Sequence, residues 1–109
     1  MPRRFVRPFV LLLLAEGPSH GYELAASLKE FSPRGLNVEP SILYRMLKQM
    51  REEGLTTSSL DDSGTGPVRK VYELTSEGRE ALDLWASSLQ DTAGTLDSFS
   101  ERYERTRRR

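Results

Sequence analysis

At 109 residues the chain has room for one domain, or for a small domain with an appendage. It is 37% hydrophobic and 29% charged, and its 16 basic side chains balance 16 acidic ones, so net charge gives no global argument for nucleic acid or membrane. With no cysteine, disulfides and thiolate chemistry are excluded.

The N-terminal stretch PRRFVRPFVLLLLA pairs basic residues with an apolar run, as a secretory signal does. The run from Phe9 to Ala15 is too short to span a bilayer, and EGPSHGYEL follows with no small-residue cleavage pattern. A buried first helix over residues 5–16 is the expectation, in a cytoplasmic protein. Phe5, Phe9, Leu12 and Leu13 fall at helical spacing, and Leu11 and Leu14 widen the stripe, which suggests contact on more than one side.

Gly17-Pro18 ends that helix. Ser19 is the expected N-cap of a second helix, with Leu24, Leu28 and Phe31 on one face. Residues 32–35 break it. A third helix is expected from Pro40, since proline suits a first helical position, to a left-handed cap at Gly54. Residues 55–60 and VRKVYEL read as two short strands around the turn DDSGTGP, a hairpin. In the second strand Val68, Tyr72 and Leu74 would share a face, with Val71 on the other.

Thr75, with Glu77 in the first turn, suits the start of a fourth helix that runs to about residue 104. Along it Leu82, Trp85, Leu89, Thr92, Leu96, Phe99 and Tyr103 are spaced alternately three and four apart, a heptad seam suited to dimerisation. Residues 105–109 form a basic tail. The expected division is a winged helix-turn-helix over 1–75, a dimerisation helix over 76–104 and the tail over 105–109. The fold class is therefore mainly α with a small β-hairpin.

Nothing points to catalysis. The one histidine, His20, is isolated in sequence and reads as a surface or cap-region residue, and no phosphate-binding glycine loop, metal-ligand cluster or cofactor motif is present. No enzyme activity, cofactor or metal is expected. The third helix is more informative. With Leu43, Leu47 and Met50 in the core, Ser41, Ile42, Arg45, Lys48, Gln49 and Glu52 lie opposite. Arginine and lysine can reach guanine acceptors or phosphates, a hydroxyl can meet either, and an aliphatic side chain can touch a thymine methyl. Taken alone, that face reads rather as a solvated charged one, and it is the context that favours DNA. Helix, helix, short break, helix and hairpin is the order of a winged helix-turn-helix, and Arg69 and Lys70 stand where a wing meets the phosphate backbone or the minor groove. Arg3, Arg4 and Arg7 add a third basic group, whereas Asp61 and Asp62 must point away from phosphate.

LLLLAEGPSHGYEL, EPSILYRMLKQMREEGL and GPVRKVYELTSEGREAL together resemble the three blocks of PadR-like transcriptional regulators, in order and over roughly residues 11–82. The resemblance implies a homodimeric winged helix-turn-helix repressor that binds a double-stranded DNA operator and releases it when an effector binds. It implies a phosphate or base contact for Tyr44. For Tyr22 it implies either support of the recognition helix or a contact with the DNA backbone. In some relatives a tryptophan on the last helix stacks on flat hydrophobic effectors, so Trp85 is either an effector contact or a packed interface residue. Two departures stand out. Arg45 replaces the proline that many relatives carry after the recognition-helix tyrosine, and Val71 replaces an aromatic. The alternative is a winged-helix module that binds protein without reading DNA sequence. Steep salt dependence of binding to random duplex would separate the two.

Overall fold

The computed structural model describes residues 5–31 and 35–108. The order is α1 (Val6–Glu16), β1 (Ser19–His20), α2 (Gly21–Lys29), α3 (Pro40–Glu52), β2 (Thr56–Asp61), β3 (Arg69–Leu74) and α4 (Ser76–Arg107). Arg3 and Arg4 lie outside the described residues. Among the described residues no helix is long and apolar enough to cross a membrane.

The deepest residues of α1 are Val6, Val10, Leu11 and Leu14. The stripe expected around Phe9, Leu12 and Leu13 flanks them instead, half-buried or exposed. An i, i+4 row through Val6, Val10 and Leu14 faces the core, and the width of the apolar surface lets Phe9 and Leu12 turn toward α4. Phe31 lies beyond the end of α2 and packs its ring 4.6 Å from that of Phe9. Leu24 and Leu28 of α2, Leu36 of the connection, and Leu43, Leu47 and Met50 of α3 complete the core.

Ser19 does not cap α2. His20 takes the N-cap position without a side-chain cap bond, and Ser19 pairs with Tyr72 in β1. The hairpin is thus part of a three-stranded antiparallel sheet of order β1-β3-β2, with Thr56 opposite Leu74 and Asp61 opposite Arg69 at its two ends. Val68 lies outside β3 and is exposed, while Tyr72 is the strand's buried residue.

Two junctions position the elements. At the end of α3, Gly54 takes φ 81°, its amide bonds to the Arg51 carbonyl, and the Leu55 amide returns to Met50. That is the left-handed stop expected of glycine there. Thr75 then joins this stop to α4. Its hydroxyl donates to the Gly54 carbonyl at 2.6 Å and accepts from the Gly78 amide at 3.0 Å. The long helix is therefore pinned to the end of α3.

The helix α4 has 32 residues and runs past the expected end near residue 104 to Arg107. Its first turns lie against α1, and Leu82 joins the core. The rest projects: the radius of gyration is 17.1 Å, against about 13 Å for a compact chain of this size.

Candidate nucleic-acid interface

α3 is sorted cleanly by its periodicity. Leu43, Leu47 and Met50 are buried, Met46 flanks them, and Ser41, Tyr44, Arg45, Lys48, Gln49 and Glu52 are exposed. Ile42 is half-buried at the edge of the exposed face. Pro40 starts the helix at a position whose amide would have no partner, and no carboxylate stands in the first turn, with Glu39 just before it at the cap. The positive end of the helix dipole therefore points outward beside Ser41 and Tyr44. Arg45 and Lys48 have no hydrogen-bond or ion-pair partner among the described residues.

Tyr44 is positioned by a glycine. A methyl group at Gly21, the first residue of α2, would overlap the Tyr44 ring, whose Cζ would lie 3.1 Å away. Only a residue without a side chain lets the start of α2 approach the tyrosine this closely.

The wing supplies the second part of the surface. Arg69 and Lys70 open β3, and both are exposed. Arg69 lies over the Tyr22 ring, 4.8 Å from its centroid, and donates to the Tyr22 hydroxyl. Tyr22 thus meets the wing. Asp61 is turned to His20 and to Ser63, whose hydroxyl and amide, with smaller help from His20, hold its carboxyl below the ordinary value. Asp62 is exposed in the turn. Arg7 does not extend the basic surface freely, because it pairs with Glu53 at the end of α3.

Three participants escape a reading of the sequence. His20 is not isolated: its imidazole bridges Glu23 and Asp61. Gly21 has no local signal for its packing role. Arg51 donates to the Ser58 hydroxyl at 3.2 Å and ties α3 to β2. It also opposes the upward push that burial gives the Tyr72 phenol. Apart from the His20–Glu23 pair, three residues apart, these contacts join parts of the chain that only folding brings close, so spacing along the chain does not reveal them.

A second candidate site lies on α4. Trp85 is half-buried and lines an apolar groove of about 320 Å³ with Phe9, Leu12, Leu82 and Leu89. Leu82 is only 8% exposed and belongs to the core of its own chain, because α1 covers the first turns of α4. Leu96, Phe99 and Tyr103, farther along, are exposed, and the last two rings stack with centroids 6.4 Å apart. Among the described residues no group of acidic and histidine side chains could hold a metal.

Helices packed as α1, α2 and α3, a sheet whose hairpin projects beside α3, and an outward basic helix face define a winged helix-turn-helix. The model of the transcriptional regulator PadR-like family matches residues 10–84, and the chain belongs to that family. The negative transcriptional regulator PadR of Bacillus subtilis is 30% identical over 97 residues, which cover 88% of this chain and 53% of that protein. The chain thus spans about half the length of this relative. The crystal structure of Bacillus subtilis PadR in complex with operator DNA, also 30% identical, matches with a TM-score of 0.68 over 78% of this chain and 48% of that one. A conserved protein of unknown function, described as a potential transcriptional factor, is 32% identical with a TM-score of 0.80, covering 96% of this chain and 92% of its own.

Proposed function

We propose that the chain is a DNA-binding transcriptional repressor that works as a homodimer. The observation that carries this reading is the exposed face of α3: Ser41 stands at the positive helix end and Tyr44, Arg45 and Lys48 follow along the same exposed side, with Arg45 and Lys48 unpaired among the described residues. The operator complex of Bacillus subtilis PadR supports it, since that relative binds operator DNA and shares this fold over 48% of its chain. α3 enters the major groove with Ser41 and Ile42 leading, Arg45 reads a base edge, and Lys48 and Tyr44 meet phosphate. Arg69, Lys70 and Tyr22 hold the flanking backbone.

The second copy supplies the geometry. Phe99 is 69% exposed, and with Leu89, Leu96 and Tyr103 it forms a strip that water disfavours and a second α4 would cover. Two reading heads then sit about one helical turn of DNA apart, about 34 Å. The groove at Trp85 abuts that strip. A small hydrophobic effector bound there would change the spacing of the heads and so the affinity, because α4 is pinned to the end of α3 through Thr75.

The test is to sequence the DNA bound to the protein in cells and to footprint the enriched fragment. One or a few sites with inverted half-sites about 34 Å apart are expected. Failure to enrich any sequence over input would contradict the reading.

A further inference from the structure

Asp61 and Arg69 face each other directly across the β2–β3 ladder, the last pair before the turn. Opposite charges in that relation ordinarily attract and pair. Here each is engaged elsewhere. Arg69 lies on the Tyr22 ring and donates to its hydroxyl. Oδ2 of Asp61 lies 3.2 Å from Nε2 of His20, and Oδ1 accepts from the Ser63 hydroxyl at 2.6 Å and its amide at 3.0 Å. The other ring nitrogen of His20 is paired with Glu23 of α2.

We propose that His20 is a positioning residue for the wing, which holds the Asp61 carboxylate away from Arg69 and so keeps the guanidinium charge available to a DNA phosphate. The inference rests on the DNA-binding reading above. Tyr22 orients Arg69 through a neutral ring and hydroxyl, which steady a cation without cancelling it. Asp61 would cancel it, and the ladder already places the two backbones opposite each other, so a side-chain rotation suffices to form the pair. Ser63 holds Oδ1 from within the turn, and His20 adds the restraint on Oδ2, from an unusual direction. β1 and β2 flank β3, so its bond to Asp61 bridges the two outer strands. Its own backbone is fixed opposite Val71, and its side chain is only 17% exposed, so the imidazole end of the bond is sheltered while the Asp61 side chain is 35% exposed. The two-residue strand β1 thereby acquires a purpose: it carries the residue that sorts the charges of the wing.

The test measures binding to a random-sequence duplex by fluorescence anisotropy over a range of salt. The proteins are the full-length wild type, His20→Ala, Asp61→Asn and the double variant. His20→Ala should weaken binding by about three- to tenfold and reduce the salt slope by about two, as loss of one phosphate contact in each copy of a dimer does. Asp61→Asn should bind at least as well as the wild type. The double variant should recover wild-type affinity and slope, because the carboxylate that captures Arg69 is gone. A merely structural role for His20 would leave the double variant as weak as His20→Ala, and that result overturns the proposal. The Arg69 Nε–H resonance, followed by NMR without DNA, decides independently. It should move in His20→Ala and return in the double variant; an unmoved resonance in His20→Ala overturns the proposal. If His20→Ala does not fold, His20→Gln with and without Asp61→Asn takes its place, the glutamine amide still donating to Asp61, with wild-type binding expected and a loss of binding overturning the proposal. Wild-type protein that fails to bind duplex at low salt contradicts the DNA-binding reading itself, and the NMR arm still decides the role of His20.

Discussion

Gly21 and the ring of Tyr44 are packed so closely that no methyl group fits between them. The contact joins the first residue of the second helix to the exposed face of the third, the two parts of the helix-turn-helix. Tyr44 is half-exposed, so an added methyl would push the ring aside without breaking the core. Gly21→Ala should therefore melt close to the wild type yet bind its operator about tenfold more weakly, about 1.4 kcal/mol. Thermal melting and a binding isotherm on the same preparation check this. A large loss of stability with unchanged operator affinity per folded molecule would show that Gly21 serves packing alone.

Arg45 and Lys48 should fail differently. A bidentate arginine on guanine carries about 1–3 kcal/mol of discrimination, so Arg45→Ala should flatten the preference at one operator position. Lys48→Ala should weaken binding to all duplexes alike and lower the salt slope by about two, one contact being lost in each copy of the dimer. Binding to a panel of single-base operator variants separates the two. Unchanged affinity of both proteins would remove α3 from the interface.

Thr75→Ala removes both the cap on Gly78 and the bond to Gly54. A loss of about 1–2 kcal/mol is expected in urea melts, and Thr75→Ser should recover most of it. If α4 transmits an effector signal to α3, Thr75→Ala should also weaken the link between effector binding and DNA release.

Much of this architecture was readable from residue spacing. The 4-3 rows of α3, Pro40 and Gly54 marked its core face and both of its ends, and Thr75 marked the start of α4. Local chemistry determines each of these features. β1 was not readable, because two residues carry no periodicity and pair only through β3. The same limit hid the His20–Asp61 bond, whose partners meet only in the folded sheet. Leu82 and Phe99 lie on one heptad seam, yet the two have different surroundings. A repeat shows which face of a helix is apolar, and only the fold shows that α1 covers its first turns.

That difference yields a prediction on assembly. Phe99→Asp places a charge on a strip that is exposed in the single chain, so it should shift the protein toward monomer in sedimentation while the winged domain stays folded. Leu82→Asp should instead unfold the chain, since it buries the charge within one copy. Phe99→Asp sedimenting as the wild type does would place the dimer contact elsewhere.

Tyr72 gives a pH dependence. Burial pushes its phenol above the ordinary value of 10.0, with Arg51 opposing and Tyr44 adding to the shift. A raised value in the folded state means stability is fully present below the unfolded value and is lost as pH rises through the folded one. Urea melts between about pH 9 and about pH 11 should show this loss in the wild type and a smaller one in Tyr72→Phe.

The salt dependence of binding to a random duplex tests the central claim most directly. If α3 and the wing grip DNA through Arg45, Lys48, Arg69 and Lys70, the logarithm of affinity should fall linearly with the logarithm of salt concentration. The slope should be about −0.9 for each phosphate contacted, several in all for a dimer. No binding at low salt, or an affinity indifferent to salt, would contradict the account.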